Sequence, residues 1–300
     1  MILRLKTGLL AAVLFVSAFA PMAAPAKAPD VAVKPAMWVI KDADSTIYLL
    51  GSIHVMKPDT VWLTPGIQSR FDSAEDVWFE IPDLDDKAAA GPLAAKYMVD
   101  PAGRMTDGLT PEEIARIDAL LKPMGLSTLA AGTLRKWAVG LLITLDQVKA
   151  QGYSTETGVD VTLLGQARAA QKRVHGFETM DSQMQALVPE TEADELTALR
   201  TTLKDVETMP KDIDDLFKAW QQGNTETLSH LMIDKMQAED PKSYRRLIVE
   251  RNAAWAPQIE TVLAGKGTVF ITVGAGHLVG PESVIAMLKQ HGITAERVGY

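Results

Sequence analysis

The stretch TVFITVGAGHLVG, residues 268–280, joins an apolar run to two glycines and a histidine. The run predicts a buried strand that ends at Gly274, and His277 follows three residues later. The stretch STIYLLGSIHV, residues 45–55, repeats this arrangement with Gly51 and His54. A glycine gives the chain a tight exit from a strand, and the histidine can then face the crevice at the carboxyl edge of the sheet. Both Gly-x-x-His segments therefore predict strand ends that meet at a ligand-binding edge.

Shorter apolar runs predict the other strands, and they begin at residues 37 (MWVIK), 77 (VWFEI), 173 (RVHGFE) and 296 (ERVGY). A short helix between the second and third strands gives the spacing of a βαβ crossover, which places His54 and Glu80 at the ends of neighbouring parallel strands. The long middle of the chain has mostly helical periodicity. We therefore predict an α/β fold with a mixed central sheet built from both chain ends and a large helical insertion.

Composition limits the possible partners and chemistry. The chain has 300 residues, of which 47% are hydrophobic, enough for a substantial core. Its formal net charge is −8 and no basic run stands out, which argues against a nucleic-acid partner. The chain contains no cysteine. Disulfides, thiol catalysis and thiolate metal sites are therefore excluded, and a metal would need His, Asp, Glu or water as ligands.

The N-terminus has the three-part layout of a secretory signal peptide. Arg4 and Lys6 precede an uncharged apolar stretch at residues 8–20, and small residues follow. A small-x-small pattern ends at Ala26, which predicts cleavage close to that residue. An uncleaved N-terminal anchor is the alternative, although the apolar stretch is short for a membrane span.

These features predict three parts of the chain. They are a signal peptide at residues 1–26, a tether at residues 27–36 and a single domain at residues 37–300. We expect the mature protein to be periplasmic or secreted and to have no membrane span after cleavage. Its oligomeric state is left open.

Two glutamates also end predicted strands, Glu80 in VWFE and Glu178 in HGFE. With His54 and His277 they make four groups that can bind a metal or transfer a proton. Imidazoles and carboxylates are good ligands for a divalent metal, which lowers the pKa of bound water and polarises a carbonyl. Structural hydrogen bonding by each side chain is the alternative, and neither an HExxH nor an EF-hand pattern is present.

Arg251, in VERNAAW, either pairs with a site carboxylate or is an exposed residue of a helix surface. Asp160 lies at a predicted helix start, where an acidic residue is favoured anyway. Neither a nucleophile elbow nor a phosphate loop is present. The remaining histidines lack a comparable setting and are interpreted as structural: His175, His230 and His291.

Five segments carry a resemblance to a known family: LLGSIHVMKPD (49–59), VWFEI (77–81), ETGVDVTLLGQARAAQKRVHGFETMDSQ (156–183), ERNAAWAPQIETVL (250–263) and TVFITVGAGHLVGPESVIAMLKQHG (268–292). In this order and spacing the chain resembles the TraB/GumN family, related to the Tiki proteins. The resemblance implies an α/β fold with two Gly-x-x-His motifs and an essential glutamate at a shared site. Animal Tiki proteins are metal-dependent proteases that clip the N-terminus of an extracellular signalling protein. Bacterial relatives are linked to pheromone shutdown or exopolysaccharide gene clusters.

The resemblance assigns roles by motif. His54 and His277 match the two family histidines, Glu80 matches the early glutamate, and Glu178 and Arg251 match further characteristic positions. It thus implies an exported, metal-dependent, peptidase-like hydrolase. His54, His277 and Glu80 would bind a divalent metal such as manganese, cobalt or zinc. Glu178 would serve as base or support a ligand, and Arg251 would bind a carboxylate or an oxyanion of a peptide or protein substrate.

Two other functions fit the same residues. A non-catalytic binding protein would use the crevice for a peptide, or for haem or iron through its histidines. An accessory protein of cell-envelope polysaccharide assembly would retain the site without activity.

Overall fold

The computed structural model describes residues 33–84 and 86–299, apart from the side chain of residue 87. The predicted signal peptide therefore lies outside the described residues. Residues 33–36, the end of the predicted tether, pack against the domain, since Val33 and Ala36 are buried and the Lys34 amide donates to the Gln221 carbonyl at 2.7 Å.

A six-stranded mixed sheet forms the centre of the fold, as predicted. In chain order its strands are β1 (Met37–Lys41), β2 (Ser45–Ser52), β3 (Asp76–Phe79), β4 (Arg173–Gly176), β5 (Gly267–Gly274) and β6 (Glu296–Arg297). Their spatial order is β4-β3-β5-β2-β1-β6. The first four of that order are parallel, while β1 is antiparallel to β2 and to β6. Five of the strands come from the two chain ends and β4 comes from the middle.

The prediction that His54 and Glu80 follow neighbouring strands is wrong, because β5 lies between β2 and β3. The pairing of β2 with β5 is long, running from Ser45 opposite Gly267 to Ser52 opposite Gly274. Strand β5 is buried along its last six residues, and apolar strands of this kind favour the centre of a parallel sheet. The two Gly-x-x-His strands are thus the adjacent ones.

Helices cover the sheet and fill the middle of the chain. They are α1 (Pro65–Ser73), α2 (Lys87–Met98), α3 (Pro111–Leu121), α4 (Lys136–Ala150), α5 (Val159–Ala169), α6 (Met180–Leu187), α7 (Glu192–Asp205), α8 (Met209–Gln221), α9 (Thr225–Leu228), α10 (Lys235–Glu239), α11 (Pro241–Tyr244), α12 (Glu250–Leu263) and α13 (Val284–Gln290). Two π-helical segments connect neighbours in this series, Ser229–Asp234 between α9 and α10 and Arg245–Val249 between α11 and α12. Such segments are rare and occur often at functional sites.

Local sequence signals account for several helix positions. Thr110 caps α3 in a capping box with Glu113. Helix α4 is buried along most of its length. No helix among the described residues is long and apolar enough to cross a membrane. The indole of Trp220, on α8, donates to the Gly51 carbonyl at 2.8 Å and fixes that helix over the end of β2.

Candidate functional site

The carboxyl ends of the parallel strands carry the predicted site residues. His54 follows β2, Glu80 follows β3, Glu178 follows β4 and His277 follows β5. Arg251, in the first turn of α12, reaches into the same place. The structure therefore brings all five candidate side chains together at one edge of the sheet.

Arg251 is the centre of this cluster and only 12% of its side chain is exposed. Its Nη2 donates to Glu80 Oε2 at 2.6 Å and its Nε donates to Glu178 Oε1 at 2.8 Å. Its Nη1 contacts His277 Nε2 at 3.0 Å. Burial opposes the charge of Arg251, but the two carboxylates outweigh it and raise the pKa of the guanidinium. Arg251 thus stays charged and holds two glutamates and a histidine in fixed positions.

Glu80 is 5% exposed and both of its carboxylate oxygens accept hydrogen bonds. Oε1 accepts from the Gly274 amide at 2.7 Å, and Oε2 accepts from Gln183 Nε2 at 2.8 Å as well as from Arg251. Burial alone would raise the pKa of Glu80, but the charge of Arg251 and these donors hold it well below its ordinary value. Glu80 is therefore an ionised carboxylate at neutral pH.

His277 is 5% exposed, and its neighbours fix both its protonation and its tautomer. Because Arg251 Nη1 is only a donor, Nε2 of the ring must accept, and Nδ1 donates to Asn252 Oδ1 at 2.7 Å. Burial and the charge of Arg251 lower the pKa of His277 to about 3. His277 Nε2 lies 3.7 Å from Glu80 Oε1. Since the ring is neutral, that approach is not an ion pair.

His54 is oriented by a carboxylate that the sequence did not assign to the site. Its Nδ1 lies 2.7 Å from Asp160 Oδ2, and the other oxygen of Asp160 accepts from the Ser52 hydroxyl at 2.8 Å. Burial lowers the pKa of His54, but the buried Asp160 outweighs it, so the pKa lies above the ordinary 6.5. Within the described part of the chain His54 Nε2 has no hydrogen-bond partner. Asp160 therefore leaves that nitrogen available to a ligand.

Gly274 shows where three of these side chains converge. A Cβ atom placed on it would lie 3.0 Å from Glu80 Oε1, 3.4 Å from His54 Nε2 and 3.5 Å from His277 Cδ2. Its φ of −50° is open to any residue, so space and not backbone conformation requires glycine here. The glycine of the second Gly-x-x-His motif thus keeps clear the point at which the two histidines and the glutamate meet.

Glu178 differs from Glu80 in protonation. Its Oε1 accepts from Trp255 Nε1 at 2.9 Å as well as from Arg251, while its buried Oε2 has no partner among the described residues. Burial raises the pKa of Glu178 above its ordinary value, against the opposing charge of Arg251. Two glutamates that share one arginine therefore have pKa values shifted in opposite directions, a pattern typical of an acid or base beside a permanent anion.

The donor set fits a divalent metal in its chemistry, but the arrangement is not a complete metal site. Both imidazoles are held through Nδ1, which is how metal-binding histidines are usually oriented. Among the described residues, however, no group of three or more His, Asp or Glu side chains is placed to hold a metal ion. In addition, Arg251 Nη1 already occupies the lone pair of His277 Nε2. A bound cation would have to replace that contact.

Sequence reasoning missed three residues that support the site: Asp160, Gln183 and Asn252. Asp160 has the position of a helix-start acid, which conceals its role, and Gln183 and Asn252 lie on helices α6 and α12 without a distinctive signal. The other histidines lie elsewhere and pair with nearby acids: His175 with Asp76, His230 with Asp234 and His291 with Glu260.

Comparisons with known proteins test the resemblance to the TraB/GumN family. The model of the TraB/PrgY/gumN family matches residues 36–297. A protein of Treponema pallidum (strain Nichols) named only "Uncharacterized protein" is 21% identical over 267 residues, which cover 84% of this chain and 80% of that protein.

A second relative, the Danio rerio protein named "Metalloprotease TIKI1", is 24% identical over 312 residues. These cover 87% of this chain but only 62% of the Danio rerio protein, so the chain spans less than two thirds of that relative. No solved structure matches the chain. Since the family model covers almost the whole predicted domain, the chain belongs to the TraB/PrgY/gumN family.

Proposed function

We propose that this protein is an exported hydrolase that cleaves peptide bonds with a divalent metal ion. The observation that carries the proposal is the convergence of His54 Nε2, Glu80 Oε1 and the His277 ring around the missing Cβ of Gly274. The name of the Danio rerio relative supports peptide-bond cleavage as the reaction, and the predicted signal peptide supports the periplasm or the cell exterior as its place.

Three residues would hold the metal: His54 and His277 through Nε2, and Glu80 through Oε1. The metal would lower the pKa of a bound water and polarise the substrate carbonyl. Manganese, cobalt and zinc all accept this set of ligands.

The other side chains of the site perform the remaining tasks. Asp160 and Asn252 hold the Nδ1 atoms, so that both imidazoles present Nε2 to the cavity. Glu178 has a raised pKa and an oxygen without a partner among the described residues, so it is suited to accept a proton from water and return it to the leaving amine. Arg251 is placed to bind the developing oxyanion or a substrate carboxylate with an N–H that it now directs at His277.

The test is cleavage of a peptide library by metal-stripped protein with Mn²⁺, Co²⁺ or Zn²⁺ added back. We expect one metal to restore cleavage, and we expect His54→Ala and Glu80→Gln to abolish it. His291→Ala is the matched control, because His291 is exposed and pairs with Glu260 away from the site. Absence of cleavage with every metal, from protein that is folded by circular dichroism, would refute the hydrolase.

One observation favours a second candidate, a binding protein without catalysis. Arg251 already bonds Glu80 and Glu178 and contacts His277, so the chain itself supplies a cation to this cluster. Such a site would bind a peptide or another ligand and leave it intact. Peptides that bind tightly but stay uncut in the presence of all three metals would support this candidate.

A further inference from the structure

A cavity of about 90 Å³ opens directly from the candidate site. Its polar end is formed by His54, Glu80, Arg251 and His277. A single water molecule needs about 10–15 Å³ by a comparable measure, so the cavity is large enough for a side chain.

The walls beyond the polar end are apolar. Helix α4, helix α8 and the π-helical segment Arg245–Val249 supply them, through Val148, Ile213, Leu216, Phe217, Leu247 and Ile248. The ring of Phe217 is fixed between two others: its centroid lies 5.5 Å from that of Tyr153 and 6.2 Å from that of Trp220. The wall is therefore a preformed apolar surface and not a flexible loop.

The charged groups of this cavity are confined to its polar end. Among the described residues that line it, the charged side chains are Glu80 and Arg251, and they bond each other at 2.6 Å. The Tyr153 hydroxyl is engaged by Asp214 at 2.9 Å. A charged side chain that entered between the apolar walls would lose its hydration and find no counter-ion on them, which is strongly unfavourable.

We propose that the cavity binds a large apolar side chain of the substrate, of the leucine, methionine or phenylalanine type, beside the bond that is cleaved. This inference rests on the proposed function, because the polar end of the cavity is the proposed catalytic site. Burial of one methylene group changes an equilibrium about fourfold. A leucine, with three more carbons than alanine, is therefore preferred over alanine by about 60-fold in kcat/KM.

The experiment uses blocked hexapeptides of alanine and serine in which each position in turn carries Leu, Phe, Ala, Asp or Lys. Cleavage is measured with the three metals, and binding is measured separately by fluorescence anisotropy on the His54→Ala variant. Leu216→Trp fills the cavity and Leu216→Ala enlarges it, and since Leu216 is only partly buried both variants are expected to fold. Leu129→Ala makes the same change at a leucine that is 91% exposed.

We expect one position to prefer Leu or Phe over Ala by at least tenfold and to reject Asp and Lys. Leu216→Trp should abolish the preference, Leu216→Ala should move it from Leu towards Phe, and Leu129→Ala should leave it unchanged. Cleavage without such a preference would overturn the inference and keep the hydrolase. Binding that ranks peptides by their apolar side chain, without cleavage, would overturn the hydrolase and keep the cavity as an apolar side-chain site. The absence of both cleavage and ranked binding would overturn both proposals.

Discussion

Replacing Arg251 with methionine tests whether the ion cluster is organised as described. The variant keeps an unbranched apolar side chain and removes the guanidinium that bonds Glu80 at 2.6 Å and Glu178 at 2.8 Å. Both carboxylates are largely buried, with 6% and 12% of their side chains exposed. The substitution therefore leaves two buried acids without their shared partner.

Breaking one buried ion pair by removing a partner costs about 3–5 kcal/mol. In a domain of this size 1 kcal/mol corresponds to about 2–4 °C in Tm. We therefore expect Arg251→Met to lower Tm at pH 7 by about 10 °C. Arg245→Met is the control, because Arg245 is 77% exposed and its pair with Glu250 contributes at most about 1 kcal/mol.

The direction in which pH changes this loss of stability follows from the pKa of Glu80. In the wild type the pKa of Glu80 is lowered, so its contribution to stability is present above its unfolded pKa of about 4.5 and is lost as the pH falls below that value. In Arg251→Met burial is no longer opposed by the guanidinium, and the pKa of Glu80 rises. The folded variant then takes up a proton more readily than the unfolded chain does, and acid relieves part of the defect.

The measurement is Tm at pH 7 and at pH 5 for the wild type, Arg251→Met and Arg245→Met. We expect the difference between wild type and Arg251→Met to shrink by several degrees at pH 5. A Tm for Arg251→Met within 2 °C of that for Arg245→Met, or an equal deficit at both pH values, would refute the cluster as the organising feature of the site.

Three glycine and aspartate variants probe the surroundings of His54 and Glu80. Gly274→Ala places a Cβ 3.0 Å from Glu80 Oε1 and should lower kcat/KM for peptide cleavage by about 100-fold with little change in Tm; wild-type turnover would contradict this. Gly158→Ala places a Cβ 2.4 Å from the His54 carbonyl oxygen and should cost about 1–3 kcal/mol in urea unfolding, and an unchanged midpoint would exclude the clash. Asp160→Asn removes the partner that raises the pKa of His54, so the histidine should titrate at lower pH by NMR and the acid limb of activity should move with it. An unchanged pKa of His54 would mean that Asp160 does not cause the shift.

The strands of this fold were predictable, but the order of the strands was not. The apolar runs at 45–52, 76–79 and 267–274 each identify a strand by local composition. The local sequence does not indicate that β3 pairs with β5. That pairing joins residues almost 200 positions apart and depends on which strand is best buried on both faces. The βαβ spacing therefore predicted the crossover from β2 to β3, but not that β5 lies between these two strands.

The site divides in the same way between residues with a local signature and residues without one. His54, Glu80, Glu178 and His277 each follow a strand, and strand ends are visible in a sequence. The sequence also carries a signal that places Asp160 near His54. Gly158, two residues before Asp160, is a glycine because the His54 backbone lies against it.

The bond between Arg251 and His277 leads to a last prediction about the metal. A cation that binds His277 Nε2 must displace the Arg251 N–H that lies 3.0 Å away, and it also meets the repulsion of the guanidinium charge. Arg251→Met removes both costs and leaves two carboxylates without a cation. We therefore expect this variant, although less stable without metal, to bind Mn²⁺ or Zn²⁺ at least tenfold more tightly than the wild type by calorimetry.

The same variant should gain more Tm than the wild type when the metal is added, because binding to the folded state stabilises it in proportion to affinity. Glu80→Gln in the Arg251→Met background is the control, since it removes the proposed carboxylate ligand and should abolish the extra gain. Equal or weaker binding by Arg251→Met would mean that Arg251 and the metal do not compete for His277. The arginine-centred network itself would then be the functional arrangement, and ligand binding without a metal would be the favoured function.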